Sequence, residues 1–141
     1  MNRRVVFDTS TLVSAALRIG SVPYRALLEA LAGYDLCASP ETLADLERVL
    51  ASKKFDRYVD RPSREQFVAL LHGQVHLFSV RQADLEAVEP PCRDPKDHQF
   101  LVLAGVAKAG TLVSSDEDLL VLHPWRDVAI LRPAEFLEQI P

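Results

Sequence analysis

Four aspartates, Asp8, Asp45, Asp97 and Asp116, stand where this chain should pass through or beside the ends of its strands. Asp8 follows the apolar run Val5-Val6-Phe7, Asp116 follows Thr111-Leu112-Val113, and Asp45 and Asp97 open or lie within stretches of helical period. A buried carboxylate without a partner is costly, so several converging ones need a cation or a shared proton. Magnesium or manganese takes oxygen ligands in near-octahedral geometry, usually one or two carboxylates with waters and phosphates completing the shell. Three or four acids exceed the need of one ion. The surplus can hold a second ion or position a water as general base, and both arrangements serve in-line phosphodiester cleavage. A single aspartate at a strand end is ordinarily a turn or cap residue; Asp8 and Asp116 taken together point to a metal.

The elements that must position these acids alternate. Short apolar runs are separated by longer stretches of helical period, the pattern of an α/β domain with a largely parallel sheet. A strand over residues 4–7 feeds a helix capped at Thr9 or Ser10 and carrying Leu12, Val13, Ala16 and Leu17. Pro23 opens a second helix that Gly33 closes, and a short strand follows at residues 35–38. Ser39-Pro40-Glu41-Thr42 reads as an N-cap, a proline at the first helical position and an early acid, ahead of a helix ending near Ser52. Further on, the periodicity predicts a helix over 64–73, a strand over 75–80 and a proline-rich turn over 89–96, which makes Asp94 a turn residue. A helix then starts at Asp94 or Asp97 and stops at Gly110; the chain closes with strand 111–113, short helix 116–122, strand 128–131 and helix 133–140. The expected fold is a single domain, 1–141, built as a three-layer α/β/α sandwich around a central, largely parallel sheet of about five strands. In such sheets the ligand crevice lies at the C-terminal edge of the strands.

At 141 residues the chain is long enough to bury a single core without staples. Cys37 and Cys92 are far apart and match no CxxC or zinc-ligand spacing, which fits a reducing, cytoplasmic setting. The apolar run after Met1-Asn2-Arg3-Arg4 is interrupted by Asp8, too soon for a signal peptide or a membrane span. The net charge of −4 argues against binding nucleic acid by bulk positive charge. It hides a local asymmetry: Arg48, Lys53, Lys54, Arg57, Arg61 and Arg64 outnumber Asp56 and Asp60 in one short stretch, with Phe55 and Tyr58 between them. The plain reading of that stretch is a solvated helix and turn. The functional one is contact with a phosphate backbone and unstacked bases, through Lys53, Lys54 and Arg57.

Four segments in this order resemble the PIN-domain nucleases, in particular the VapC-like toxins of bacterial and archaeal toxin-antitoxin pairs. Val5-Val6-Phe7-Asp8-Thr9-Ser10 resembles the family's opening strand and first metal-binding aspartate. Residues 39–55, with Pro40, Leu46, Val49-Leu50 and Lys54-Phe55, resemble the helix bearing the second acid. Arg93-Asp94-Pro95-Lys96-Asp97, followed by Phe100-Leu101 and Leu103-Ala104, resembles the segment with the third. Ser114-Ser115-Asp116-Glu117-Asp118 resembles the closing acidic motif.

The resemblance implies a metal site of Asp8, Asp45, Asp97 and Asp116, with Asp8 and Asp97 foremost as direct ligands of Mg2+ or Mn2+. It implies support from Ser10, Glu41, Ser114 and Asp118. Asp45 stands where glutamate is usual and is one methylene shorter, so Glu41, one turn earlier on the same helix face, is an alternative member. Ser10 stands where asparagine is common. The implied activity is metal-dependent endoribonuclease cleavage of RNA, and the implied partners are a small antitoxin and a second copy of the chain. A PIN-fold binding module with little or no nuclease activity is the alternative. A phosphatase using Asp8 as phosphoacceptor would need a second aspartate where Ser10 stands. His98 is next to Asp97, but a rotation of about 100° per helical residue predicts that it faces solvent. His72, His76 and His123 have no usable spacing, and Trp125 is expected to be a packing anchor.

Overall fold

Val5, Val6 and Phe7 are all buried, and the strand containing them, β1 (Arg4–Phe7), lies at the centre of a five-stranded sheet. The computed structural model describes residues 2–87 and 95–140. The sheet order is β3 (His76–Leu77), β2 (Asp35–Ala38), β1, β4 (Thr111–Val113) and β5 (Ala129–Leu131), with every pairing parallel. Val5 is in register with Leu36 on one side and Thr111 on the other.

Strands buried on both faces explain the unbroken apolar runs. Val6, Cys37 and Leu112 face one core, where they meet Phe100, Leu101 and Leu103 of α6 (His98–Val106), Leu119 of α7 (Glu117–Leu120) and Trp125. Val5, Phe7, Leu36 and Val113 face the other. There they meet α1 (Thr9–Leu17), α2 (Val22–Gly33), α3 (Pro40–Leu50), α4 (Arg61–His72) and Phe136 of α8 (Pro133–Glu138). Two cores on one sheet make the three layers. Trp125 is fully buried against Gly105, the packing role expected of it.

The chain winds outward from β1 to β2 and β3, then returns to lay β4 on the other side of β1. Strand order therefore reverses between β1 and β4. In open α/β sheets that reversal leaves a crevice at the carboxyl ends of the two strands, and Asp8 and Ser114 are the residues that follow them. Among the described residues no helix is long and apolar enough to cross a membrane.

Several boundaries differ from the sequence reading. The first helix is capped by Asp8, not by Thr9 or Ser10: Asp8 is extended and its carboxylate accepts the Thr11 N–H. The helix expected from Arg64 begins at Arg61, because Asp60 caps it through the Ser63 N–H and Pro62 suits its first turn. The strand expected over 75–80 shrinks to β3, an edge strand paired only with Cys37 and Ala38, and α5 (Gln82–Glu86) follows it unforeseen. α6 stops before Gly110. Lys108 adopts φ 54° and the Ala109 N–H returns to the Ala104 carbonyl, a left-handed helix end built without glycine. The expectations for Cys92, Asp94 and most of the 89–96 turn fall outside the described residues.

Candidate active site

Asp8 is held by three donors before any ligand arrives. Its backbone N–H continues the sheet to the Val113 carbonyl at 3.1 Å. Its Oδ1 accepts the Thr11 N–H at 2.9 Å and, at a longer 3.4 Å, the Ser10 hydroxyl. Its Oδ2 accepts the hydroxyl of the fully buried Ser114 at 2.5 Å. Burial pushes the Asp8 carboxyl above its ordinary range; the hydrogen bonds from Ser114 and Thr11 oppose that, and the charge of Asp116 adds to it.

Ser114 joins the ends of the two central strands. Besides donating to Asp8, its oxygen accepts the Asp116 N–H at 3.0 Å. Asp116 caps α7 by accepting the Asp118 N–H at 2.9 Å. Asp97, on the other side of the site, precedes α6 at the end of a short 3-10 turn. One carboxylate oxygen from each of Asp97, Asp116 and Asp118 lies within 4.8 Å of the others, all three half-buried. The tight first turn of α7 carries Asp118 to Asp97.

Asp45 has a different situation. Its Oδ2 accepts the Thr9 hydroxyl at 2.8 Å and its Oδ1 pairs with Arg48 at 2.5 Å, one turn along the same helix. The side chain is beside the acids but already engaged. Glu41 is exposed and does not line the cleft: the α3 face that does so runs from Asp45 towards Arg48 and Val49, leaving Glu41 one turn beyond the rim.

Asp8, Asp45, Asp97 and Asp116 line one cleft of about 1020 Å3, together with Ser10, Arg48, Lys96 and His98. His98 is half-buried there, contrary to the solvent-facing expectation, because the 3-10 turn before α6 aims the start of that helix at the cleft. Thr9, expected as a helix cap, instead donates its hydroxyl to Asp45; the signal for a place at the site was a hydroxyl directly after the first aspartate. The donor set is all carboxylate oxygen, which fits a hard divalent cation and not a soft one.

The basic stretch divides. Arg64 is buried, not a surface charge: its guanidinium donates to the Leu50 carbonyl, to the Ser52 carbonyl at 2.8 Å and to Asp56. Arg48 pairs with Asp45, and Arg61 pairs with Glu65 at 2.9 Å. Lys53, Lys54 and Arg57 remain exposed on and just after the 3-10 turn Lys53–Phe55.

A sequence profile described as the PIN domain matches residues 4–118, which spans all of these acids. The chain belongs to the PIN-domain family. No curated protein matches it. Among solved structures, this PIN domain is similar to PAE2754 from Pyrobaculum aerophilum, at 14% identity and TM-score 0.66, covering 96% of this chain and 93% of that one. It is similar to VapBC2 from Rickettsia felis, solved bound to a DNA fragment from their promoter, at 13% identity and TM-score 0.65, covering 90% and 96%. It is also similar to Mycobacterium tuberculosis VapC20, described as a sarcin-ricin loop cleaving toxin, at 15% identity and TM-score 0.57, covering 84% and 95%. At these identities the neighbours establish the fold alone.

Proposed function

We propose that this PIN domain is a divalent-metal-dependent endoribonuclease and the toxin component of a toxin-antitoxin pair. The observation that carries the reading is the convergence of Asp97, Asp116 and Asp118 within 4.8 Å, tied through Ser114 to the buried Asp8 at the strand-order reversal. In this reading Asp97, Asp116 and Asp118 hold Mg2+ or Mn2+, and Asp8 joins them once ionised. Such an ion supplies Lewis-acid polarisation of a phosphodiester and lowers the pKa of water. Ser114 keeps Asp8 in one rotamer, and Asp45 keeps Arg48 at the rim, where its guanidinium meets the anionic substrate. Lys53, Lys54 and Arg57 bind flanking phosphates.

Family membership supports the nuclease, and VapC20, described as a sarcin-ricin loop cleaving toxin, supports a toxin role. A small antitoxin, a homodimer and a cytoplasmic setting complete the proposal. Purified protein is to be mixed with single-stranded and structured RNA, with EDTA, magnesium or manganese. Cleavage in EDTA, or full activity in Asp8→Asn, would sink the metal-dependent mechanism at these acids. The toxin role is tested by induced expression: growth arrest relieved by the adjacent small reading frame supports it, and unaffected growth counts against it. A binding module without nuclease activity is favoured by one feature, the engagement of both Asp45 oxygens. Calorimetry with manganese separates the two, since a catalytic site requires saturable binding at the acids.

A further inference from the structure

The acidic cleft continues past its carboxylates. Ser14, Leu17 and Phe55 line it and also line a second cavity of about 410 Å3, which Arg18, Pro23 and Tyr58 complete. The walls are the C-terminal end of α1, the connection to α2, and the 3-10 turn that follows α3.

The chemistry of these walls is opposite in sign to that of the cleft. Phe55 is half-buried, packing in part against a core, and Tyr58 is 56% exposed; both rings line this cavity. Each ring has a neighbouring cation over it: Lys54 Nζ lies 5.1 Å from the Phe55 centroid and Arg57 Cζ 5.4 Å from that of Tyr58. Arg18 adds a third basic group from the opposite wall. A purely apolar peptide would leave these cations unmatched. Aromatic faces flanked by cations, opening from a carboxylate site suited to a divalent ion, match a nucleotide: the base for the rings, the phosphates for the cations and the metal.

We propose that this second cavity is a subsite for one unpaired nucleobase of an RNA strand whose phosphate lies at the acidic cleft. Phe55 and Tyr58 are its stacking surfaces, and Arg18, Lys54 and Arg57 hold the adjoining phosphates. The proposal deepens the ribonuclease reading and rests on it. It makes the substrate class specific: a strand or loop that can present an unstacked base, not a continuous duplex, whose bases are already stacked and paired.

The test uses short oligoribonucleotides with 2-aminopurine moved along the strand, titrated in EDTA so that binding is read without cleavage. The wild-type protein should quench the probe at one position. Tyr58→Ala should abolish that quenching and weaken binding roughly tenfold, Tyr58→Phe should restore both, and duplex RNA of the same sequence should bind independently of residue 58. Tyr58 is exposed, so these variants leave the cores intact. Unchanged quenching and affinity in Tyr58→Ala would overturn the subsite even if RNA is cleaved with metal. Displacement of the RNA by an acidic peptide at lower concentration than by oligouridine would also overturn it, pointing to a protein occupant. Absence of metal-dependent cleavage beside Tyr58-dependent binding would instead overturn the ribonuclease reading.

Discussion

The Ser114 hydroxyl donates to Asp8 Oδ2 at 2.5 Å across 106 residues of sequence. The same oxygen accepts the Asp116 N–H, so one side chain fixes the acids that follow the two central strands. An outer hydroxyl of this kind sets the rotamer of a ligand without touching the ion.

Ser114→Ala should therefore lower manganese affinity and cleavage by roughly 10- to 100-fold while leaving the carboxylates in place. Titration calorimetry with manganese reads the effect. Affinity equal to wild type would show that Asp8 needs no such support.

Asp8 carries a stability cost that follows from its burial. Its folded pKa is raised, so its protonated form is favoured in the folded state. The contribution to stability is complete below the unfolded pKa and is lost as pH rises through the folded one. Without metal, wild-type protein should lose stability as pH rises above the ordinary carboxylate range, and Asp8→Asn should flatten the dependence. At neutral pH in EDTA this variant should melt higher than wild type, although its cleavage is lost. Thermal unfolding across pH checks the sign; a lower melting temperature for Asp8→Asn would refute it.

Asp45 should be the least important acid for metal. Its two oxygens are taken by Thr9 and Arg48, so Asp45→Asn should weaken manganese binding less than tenfold, whereas Asp97→Asn and Asp116→Asn should each exceed that. Asp45→Glu, with one methylene more of reach, should tighten it. Equal losses for all three asparagine variants would place Asp45 among the direct ligands.

Lys53→Ala, Lys54→Ala and Arg57→Ala should weaken RNA binding without regard to sequence, and each should reduce the slope of log K against log salt by about 0.7. Filter binding at several salt concentrations gives the slopes. Unchanged slopes would remove these residues from the interface.

Arg64→Ala should act on stability. The buried guanidinium satisfies the carbonyls of Leu50 and Ser52 at the end of α3 and fastens α4 to it. Its loss strands the Leu50 carbonyl, while that of Ser52 keeps the Phe55 N–H, and leaves a cavity, about 2 to 4 kcal/mol of unfolding free energy by denaturant titration. A change below 1 kcal/mol would show that water replaces it freely.

Much of this was legible along the chain because it is encoded within a few residues. β2 and β4 fall on their expected bounds, and Ser39 is the N-cap expected ahead of Pro40, made reciprocal by Thr42. Successive side chains of β1 enter opposite cores, Val6 one and Val5 and Phe7 the other, because a strand points them to alternate faces. Where a partner sets the boundary, local pattern is insufficient: β3 is short because it pairs with only two residues of β2.

Fold class and the order of the acids can be read from local pattern, since apolar periodicity, caps and breakers act within a few residues. Tertiary structure decided which acids converge. Asp97 and Asp118 meet only because α6 and α7 approach the same sheet edge from separate segments, and Asp45 is diverted because Thr9 and Arg48 reach it first. Arg64 stands in the basic stretch of the sequence, and packing turns its guanidinium inward to the carbonyls of Leu50 and Ser52. Such through-space partnerships depend on distances between segments, and one-dimensional spacing does not contain them.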